Sequence, residues 1–205
     1  MCVYKIQEVF PINIRLYMAV KNTKALGPYN RYVIWVQGCL KNCKGCISED
    51  SRPLDGGYEE DITALADDII NTPGIEGITV SGGEPFLQAG ALAELIKRIK
   101  SQRDTGVIIY TGMNFEEIEE SELAKISDLI IDGEYREELN DNLSLRGSSN
   151  QNIYLITERY KAEAETLYGV KGRKIELHVK KGITTMVGIP DKNSLKLFKG
   201  ETNNE

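Results

Sequence analysis

The chain has 205 residues, 41% hydrophobic and 27% charged, with a formal net charge of −6. That length and balance suit one ordinary globular domain. Nothing in the sequence resembles the basic footprint of nucleic-acid binding, so no nucleic-acid partner is expected. No stretch reaches the roughly 18 apolar residues of a spanning helix. The first twenty residues, MCVYKIQEVFPINIRLYMAV, carry no apolar signal region, so a cytoplasmic protein without membrane contact is expected.

In chain order, the apolar run at 33–36 predicts a strand that stops at Gly38. Residues 59–70 predict an amphipathic helix, with Ile62, Leu65, Ala66, Ile69 and Ile70 on one face. Glu59, Glu60 and Asp61 would occupy its first turn, where carboxylates suit the helix dipole. A strand follows at 77–80, then the Gly-rich turn from Ser81 to Pro85. A second helix is predicted at 91–99, a strand at 107–110, a short acidic helix at 115–123 and a strand at 129–131. Short apolar runs alternating with helices indicate buried parallel strands in an α/β fold. Beyond that point, 158–168 predicts a helix, and 174–179 with 183–189 predict a β-hairpin around Lys180-Lys181-Gly182. The tail KNSLKLFKGETNNE is polar and is expected to fray. The expected division is a domain at 1–157 and an extension at 158–205 packed on it.

Three of the four cysteines form Cys39-Leu-Lys-Asn-Cys43-Lys-Gly-Cys46, directly after the strand VIWV. Ligands bind at the C-terminal ends of strands in open α/β sheets. Three thiolates on one loop can each hold one iron of a [4Fe–4S] cubane and leave the fourth iron open. The competing reading is a zinc site, which needs a fourth ligand such as Cys2 or His178. A second signal, Ser81-Gly82-Gly83-Glu84-Pro85, also follows a strand directly. Glycines there admit close approach of the backbone to a ligand, and backbone carbonyls with a carboxylate could receive an ammonium group.

Three-cysteine loop, helix, strand and GGEP turn, in that order, resemble the radical S-adenosylmethionine (SAM) superfamily. Val36-Gln37-Gly38-Cys39, Lys44-Gly45-Cys46, Tyr110-Thr111-Gly112, Ile131-Asp132-Gly133 and Arg146-Gly147-Ser148-Ser149-Asn150-Gln151 narrow the resemblance. They are similar to the activating proteins of anaerobic (class III) ribonucleotide reductase, over about residues 27–153. The chain departs from that pattern at Tyr29, where Gly-Pro-Gly is usual, and at Lys44, where proline is common. The resemblance implies a partial (β/α) barrel of radical SAM type, with the C-terminal helix and hairpin as an extension. It implies a [4Fe–4S] cluster on Cys39, Cys43 and Cys46, and SAM held by Ser81, Gly82, Gly83, Glu84, Thr111, Arg146 and Asn150. It further implies reductive SAM cleavage and a glycyl radical made on an anaerobic ribonucleotide reductase, with flavodoxin or ferredoxin as electron donor.

Two other functions stand beside this one: a radical SAM enzyme acting on a peptide or small molecule, and a non-catalytic iron–sulfur or zinc module. For Arg146 and Asn150, contact with SAM or partner backbone competes with a loop-stabilising hydrogen-bond network. His178 reads as an exposed strand residue, Trp35 as core, and the acidic run at 116–122 as a solvated helix face. A side chain at Gly83 is expected to block SAM while leaving the cluster assembled.

Overall fold

The computed structural model describes residues 11–167 and 170–191, together with Ser194 and Phe198. Cys2 and most of the C-terminal tail lie outside these residues, as does Tyr168 at the end of the predicted last helix.

Seven strands form one mixed sheet. They are β1 (Asn13–Thr23), β2 (Arg31–Val36), β3 (Tyr58–Asp61), β4 (Gly77–Gly82), β5 (Gly106–Tyr110), β6 (Leu129–Ile131) and β7 (Ile153–Leu155). The strand order is β3-β1-β2-β4-β5-β6-β7. The four central strands β2, β4, β5 and β6 run parallel; at one side β1 is antiparallel to β2 and β3 antiparallel to β1, and at the other β7 is antiparallel to β6. The parallel α/β core is as predicted; β1, β3 and β7 are additions that the sequence reading did not contain.

The central strands are apolar on both faces because both are covered. Tyr32, Ile34 and Val36 of β2 face one core, and so do Val107 and Ile109 of β5 and Ile130 of β6. Helices α1 (Ile62–Ile70) and α2 (Ala89–Lys100) close that side with Leu65, Ile69, Leu92 and Ile96. The alternate residues point the other way. Ile108, Leu129 and Ile131 meet Tyr160 and Ala164, the latter on α5 (Lys161–Leu167). Val33 and Trp35 meet Leu26 and Val187. Val187 belongs to the C-terminal hairpin of β8 (Ile175–Lys180) and β9 (Ile183–Gly188), a separate two-stranded sheet at the predicted position.

Two predicted helices change. The helix expected from residue 59 starts at Ile62, because Tyr58–Asp61 extends as β3 against β1, with Asn13 opposite Asp61 and Leu16 opposite Tyr58. Glu59 then pairs with Arg15 at 2.6 Å instead of facing the helix dipole. Asp61 becomes the N-cap, its carboxylate accepting from the Thr63 and Ala64 amides at 2.8 and 3.0 Å. The helix expected over 115–123 is two single turns, α3 (Phe115–Ile118) and α4 (Glu122–Lys125). Ser121 divides them, its hydroxyl capping the Ala124 amide at 3.2 Å. At the other end, residues 158–160 form a 3₁₀ turn before α5. No helix among the described residues is long and apolar enough to cross a membrane.

Candidate active site

The ends of β2, β4, β5 and β6 open on one cavity of 740 Å³, into which the cysteine loop, the Ser81–Glu84 turn, Tyr110, Thr111 and Gly133 all face. Parallel strands place all these chain segments at one edge, and the loops that follow them become neighbours.

The cysteine loop folds back on its own start. The amides of Gly38 and Cys39 donate to the carbonyls of Ser51 and Arg52 at 2.8 and 2.9 Å. The Gln37 side chain braces the loop from below, donating to the Pro53 carbonyl at 2.7 Å. Cys39, Cys43 and Cys46 are free, half-buried thiols on the cavity wall. Burial pushes all three above the ordinary thiol range, Cys43 up to about 11 with the Glu134 carboxylate adding to the effect. Metal loading must therefore displace thiol protons. Among the described residues no three His, Cys, Asp or Glu side chains converge on a position for a single metal ion. Three thiols on one loop fit a cubane that takes three of its four iron ligands from that loop.

The two glycines of the GGEP turn press it onto the root of the cysteine loop. Gly82 has φ 98°, and a Cβ there would lie 2.6 Å from the Val36 carbonyl. At Gly83 a Cβ would lie 2.2 Å from the Gly38 carbonyl oxygen. Hydrogen bonds close the join: Gly83 N to Val36 O and Glu84 N to Gly38 O, both 2.8 Å. The missing side chain of Gly83 thus makes room for protein backbone beside Cys39. This differs from the expectation that it clears space for a ligand alone.

Glu84 is buried and its carboxylate is engaged. It accepts from the Thr111 hydroxyl at 2.7 Å, the Gly112 amide at 2.9 Å and the Phe86 amide at 3.0 Å. Burial raises its pKa above the usual carboxylate range, and these three donors and Lys41 oppose the rise. Glu84 is therefore a strut between the ends of β4 and β5. Thr111 is committed at both ends, since its oxygen also accepts from the Met113 amide at 3.0 Å.

Arg146 and Asn150 do not line the cavity. Arg146 pairs with Asp141 at 2.7 Å, and Asn150 donates to the Glu134 carbonyl at 2.8 Å. Their loop neighbours Gly147 and Gln151 do reach it. Gln151 ties the loop together, accepting from the Gly147 amide at 2.8 Å and donating to the Gly133 carbonyl at 2.8 Å. Within the RGSSNQ segment the sequence singles out Arg146 and Asn150 rather than Gln151; a buried amide that satisfies both its ends on backbone is visible only once the loop is folded. Trp35 is buried as expected and also borders the cavity. His178 lies beside Glu176, Nε2 3.4 Å from Oε2, away from the cavity wall. The largest surprise is the hairpin, because Ile183, Thr184, Thr185 and Met186 form part of the wall.

Residues 25–154 match the family described as a 4Fe-4S single cluster domain. Over 144 residues the chain is 32% identical to the anaerobic ribonucleoside-triphosphate reductase-activating protein of Vibrio cholerae, covering 64% of this chain and 91% of that protein. It is 30% identical to the protein of the same name from Enterobacteria phage T4, covering 64% of this chain and 88% of that one. For the Escherichia coli K12 protein the figures are 27%, 62% and 90%. The chain belongs to the family of anaerobic ribonucleoside-triphosphate reductase-activating proteins and carries a 4Fe–4S single cluster domain.

Proposed function

We propose that this chain activates an anaerobic ribonucleotide reductase by cleaving SAM reductively at a [4Fe–4S] cluster and generating a glycyl radical on the reductase. One observation carries the reading: three thiols and the GGEP backbone face a single cavity at the C-terminal ends of parallel strands. Cys39, Cys43 and Cys46 would each hold one iron of the cluster. When bound, the cluster and SAM supply the electron transfer and the radical that takes hydrogen from a reductase glycine.

The chain's own residues bind and orient. Ser81, Gly82 and Gly83 present backbone to the methionine end of SAM. Glu84 and Thr111 hold that backbone in place through their mutual hydrogen bond. Arg146 and Asn150 act one step back, shaping the loop that brings Gly147 and Gln151 to the cavity. Trp35 and Tyr110 give the wall an apolar part that keeps water from the reacting centre. Flavodoxin or ferredoxin is the expected source of the electron.

The test is anaerobic incubation of reconstituted protein with SAM, reductant and the reductase of the same organism, read by electron paramagnetic resonance. A glycyl radical is expected. About four irons per chain should accompany it, lost on changing any one of Cys39, Cys43 or Cys46 to Ala and kept in Cys2→Ala. Absence of the radical with an intact cluster overturns the assignment.

A further inference from the structure

The hairpin lies beyond the family match, which ends at residue 154, yet it contributes to the cavity wall. Four consecutive residues of β9, Ile183, Thr184, Thr185 and Met186, border the cavity. Successive side chains of a strand point to opposite faces, so four in a row can border one space only along the strand's edge. The turn fixes which backbone groups that edge carries. Lys181 and Gly182 have φ 50° and 80°, the two left-handed residues of a type I′ loop. Lys180 and Ile183 next to it form the hydrogen-bonded pair. Ile183, Thr185 and Val187 therefore turn their N–H and C=O groups to β8, while Thr184 and Met186 turn theirs to the cavity side. Among the described residues no hydrogen bond joins the Thr184 or Met186 backbone to any other element.

Among the described residues nothing pairs with this edge. Natural sheet edges are usually blunted by charge or proline, but β9 reads ITTMVG, with neither. The hairpin's outer face is also uncovered, with Leu177 58% and Val179 72% exposed. A two-stranded ribbon is marginal by itself, and a third strand would stabilise it.

We infer that β9 is a docking edge for an extended segment of the reductase, which adds as a strand beside Thr184 and Met186 and so runs through the cavity. This rests on the functional reading above, which makes the substrate a polypeptide glycine. Strand addition grips backbone rather than side chain. It therefore suits a residue that has no side chain to hold, and it leads an extended chain past the three cysteines that share this cavity.

The test is residue-resolved amide hydrogen exchange on the full, anaerobically reconstituted protein, alone and with its reductase. In the free protein the Thr184 and Met186 amides should exchange fast and those of Thr185 and Val187 slowly. Adding the reductase should slow Thr184 and Met186. Edge amides unmoved by bound reductase overturn the inference. So do edge amides already protected in the free protein, whether by the chain's own tail or, where protection grows with concentration, by a second copy. A variant gives an independent readout: Thr184→Pro deletes one edge donor without touching the ladder to β8. It should weaken reductase binding at least about tenfold, while Thr184→Val binds as the native chain does. Equal binding by Thr184→Pro, with Thr185 and Val187 still protected, overturns the proposal. A native protein that makes no glycyl radical refutes the functional reading; a radical formed with an unmoved edge refutes only this one.

Discussion

At the scale of single residues, the site depends on two contacts that look like details. The first is the approach of Gly83 to Gly38. A Cβ at Gly83 meets a backbone carbonyl at 2.2 Å, and neither segment can retreat without breaking the 2.8 Å bonds that join them. Gly83→Ala should therefore cost at least about 2 kcal/mol. It should also lower the iron content after reconstitution, because the displaced backbone is that of the residue before Cys39. Urea unfolding of the apo form and iron analysis read the two effects. A variant with native iron and stability would show that the turn and the cysteine loop move independently. The second is the Glu84 carboxyl, whose pKa burial raises. The unfolded chain then releases this proton at lower pH than the folded one, near the ordinary value of about 4.3. Stability from this group is complete below that value and declines as pH rises through the folded pKa. Glu84→Gln should flatten this part of the profile, measured as the urea midpoint of native and variant from mildly acidic to neutral pH.

At the scale of elements, the segment from Tyr58 to Ile70 shows pairing overriding propensity. Three residues expected to open a helix, Glu59, Glu60 and Asp61, are taken by β1 as part of an edge strand. The helix begins one residue later, at the point where Asp61 can cap it. Its carboxylate satisfies two amides that the helix itself leaves without partners. Asp61→Ala should cost about 1 kcal/mol in chemical denaturation. Asp61→Asn should recover most of it, since the amide oxygen can accept the same bonds. Failure of the asparagine to recover stability would assign the effect to charge rather than capping.

At the scale of the molecule, the opposite ends of the strands are stitched by a buried polar network. Arg31 is fully buried at the start of β2. It pairs with Glu76 at 3.0 Å and donates to Thr79 Oγ1 at 2.6 Å and to the Tyr160 hydroxyl at 2.9 Å. Arg159 reaches the same Glu76 at 2.8 Å. These bonds fasten the segment before α5 to the sheet at the end away from the cavity. Removing Glu76 strands a buried guanidinium. Glu76→Ala should cost roughly 2–3 kcal/mol, the lower side of the range because Glu76 keeps a quarter of its side chain exposed. Tyr160→Phe removes one hydroxyl and should cost about 1 kcal/mol. Thermal and urea unfolding would rank the two, and the reverse order would show that the arginine is held by its carbonyl acceptors instead.

What the sequence determined by itself is what chain-local chemistry determines. Cysteine spacing, the glycines of the GGEP turn and the hydrophobic period of the central strands and helices were all legible, because each is set by residues within one loop or element. From these followed the α/β class, the cluster family and the hairpin position. The tertiary structure decided which distant segments meet. It drew Asn13–Thr23 and Tyr58–Asp61 into the sheet, turning helical carboxylates into strand residues. It brought the Thr111 hydroxyl and the Gly112 amide from the end of β5 to the Glu84 carboxylate, beside the local Phe86 amide, and so tied the GGEP turn to the next strand. It set Gln151 rather than Arg146 or Asn150 at the cavity, and it brought the edge of β9 to the wall that holds the cysteines. Such outcomes depend on hydrogen-bond partners and burial supplied from tens of residues away, and no local pattern encodes which donor or strand edge will be there.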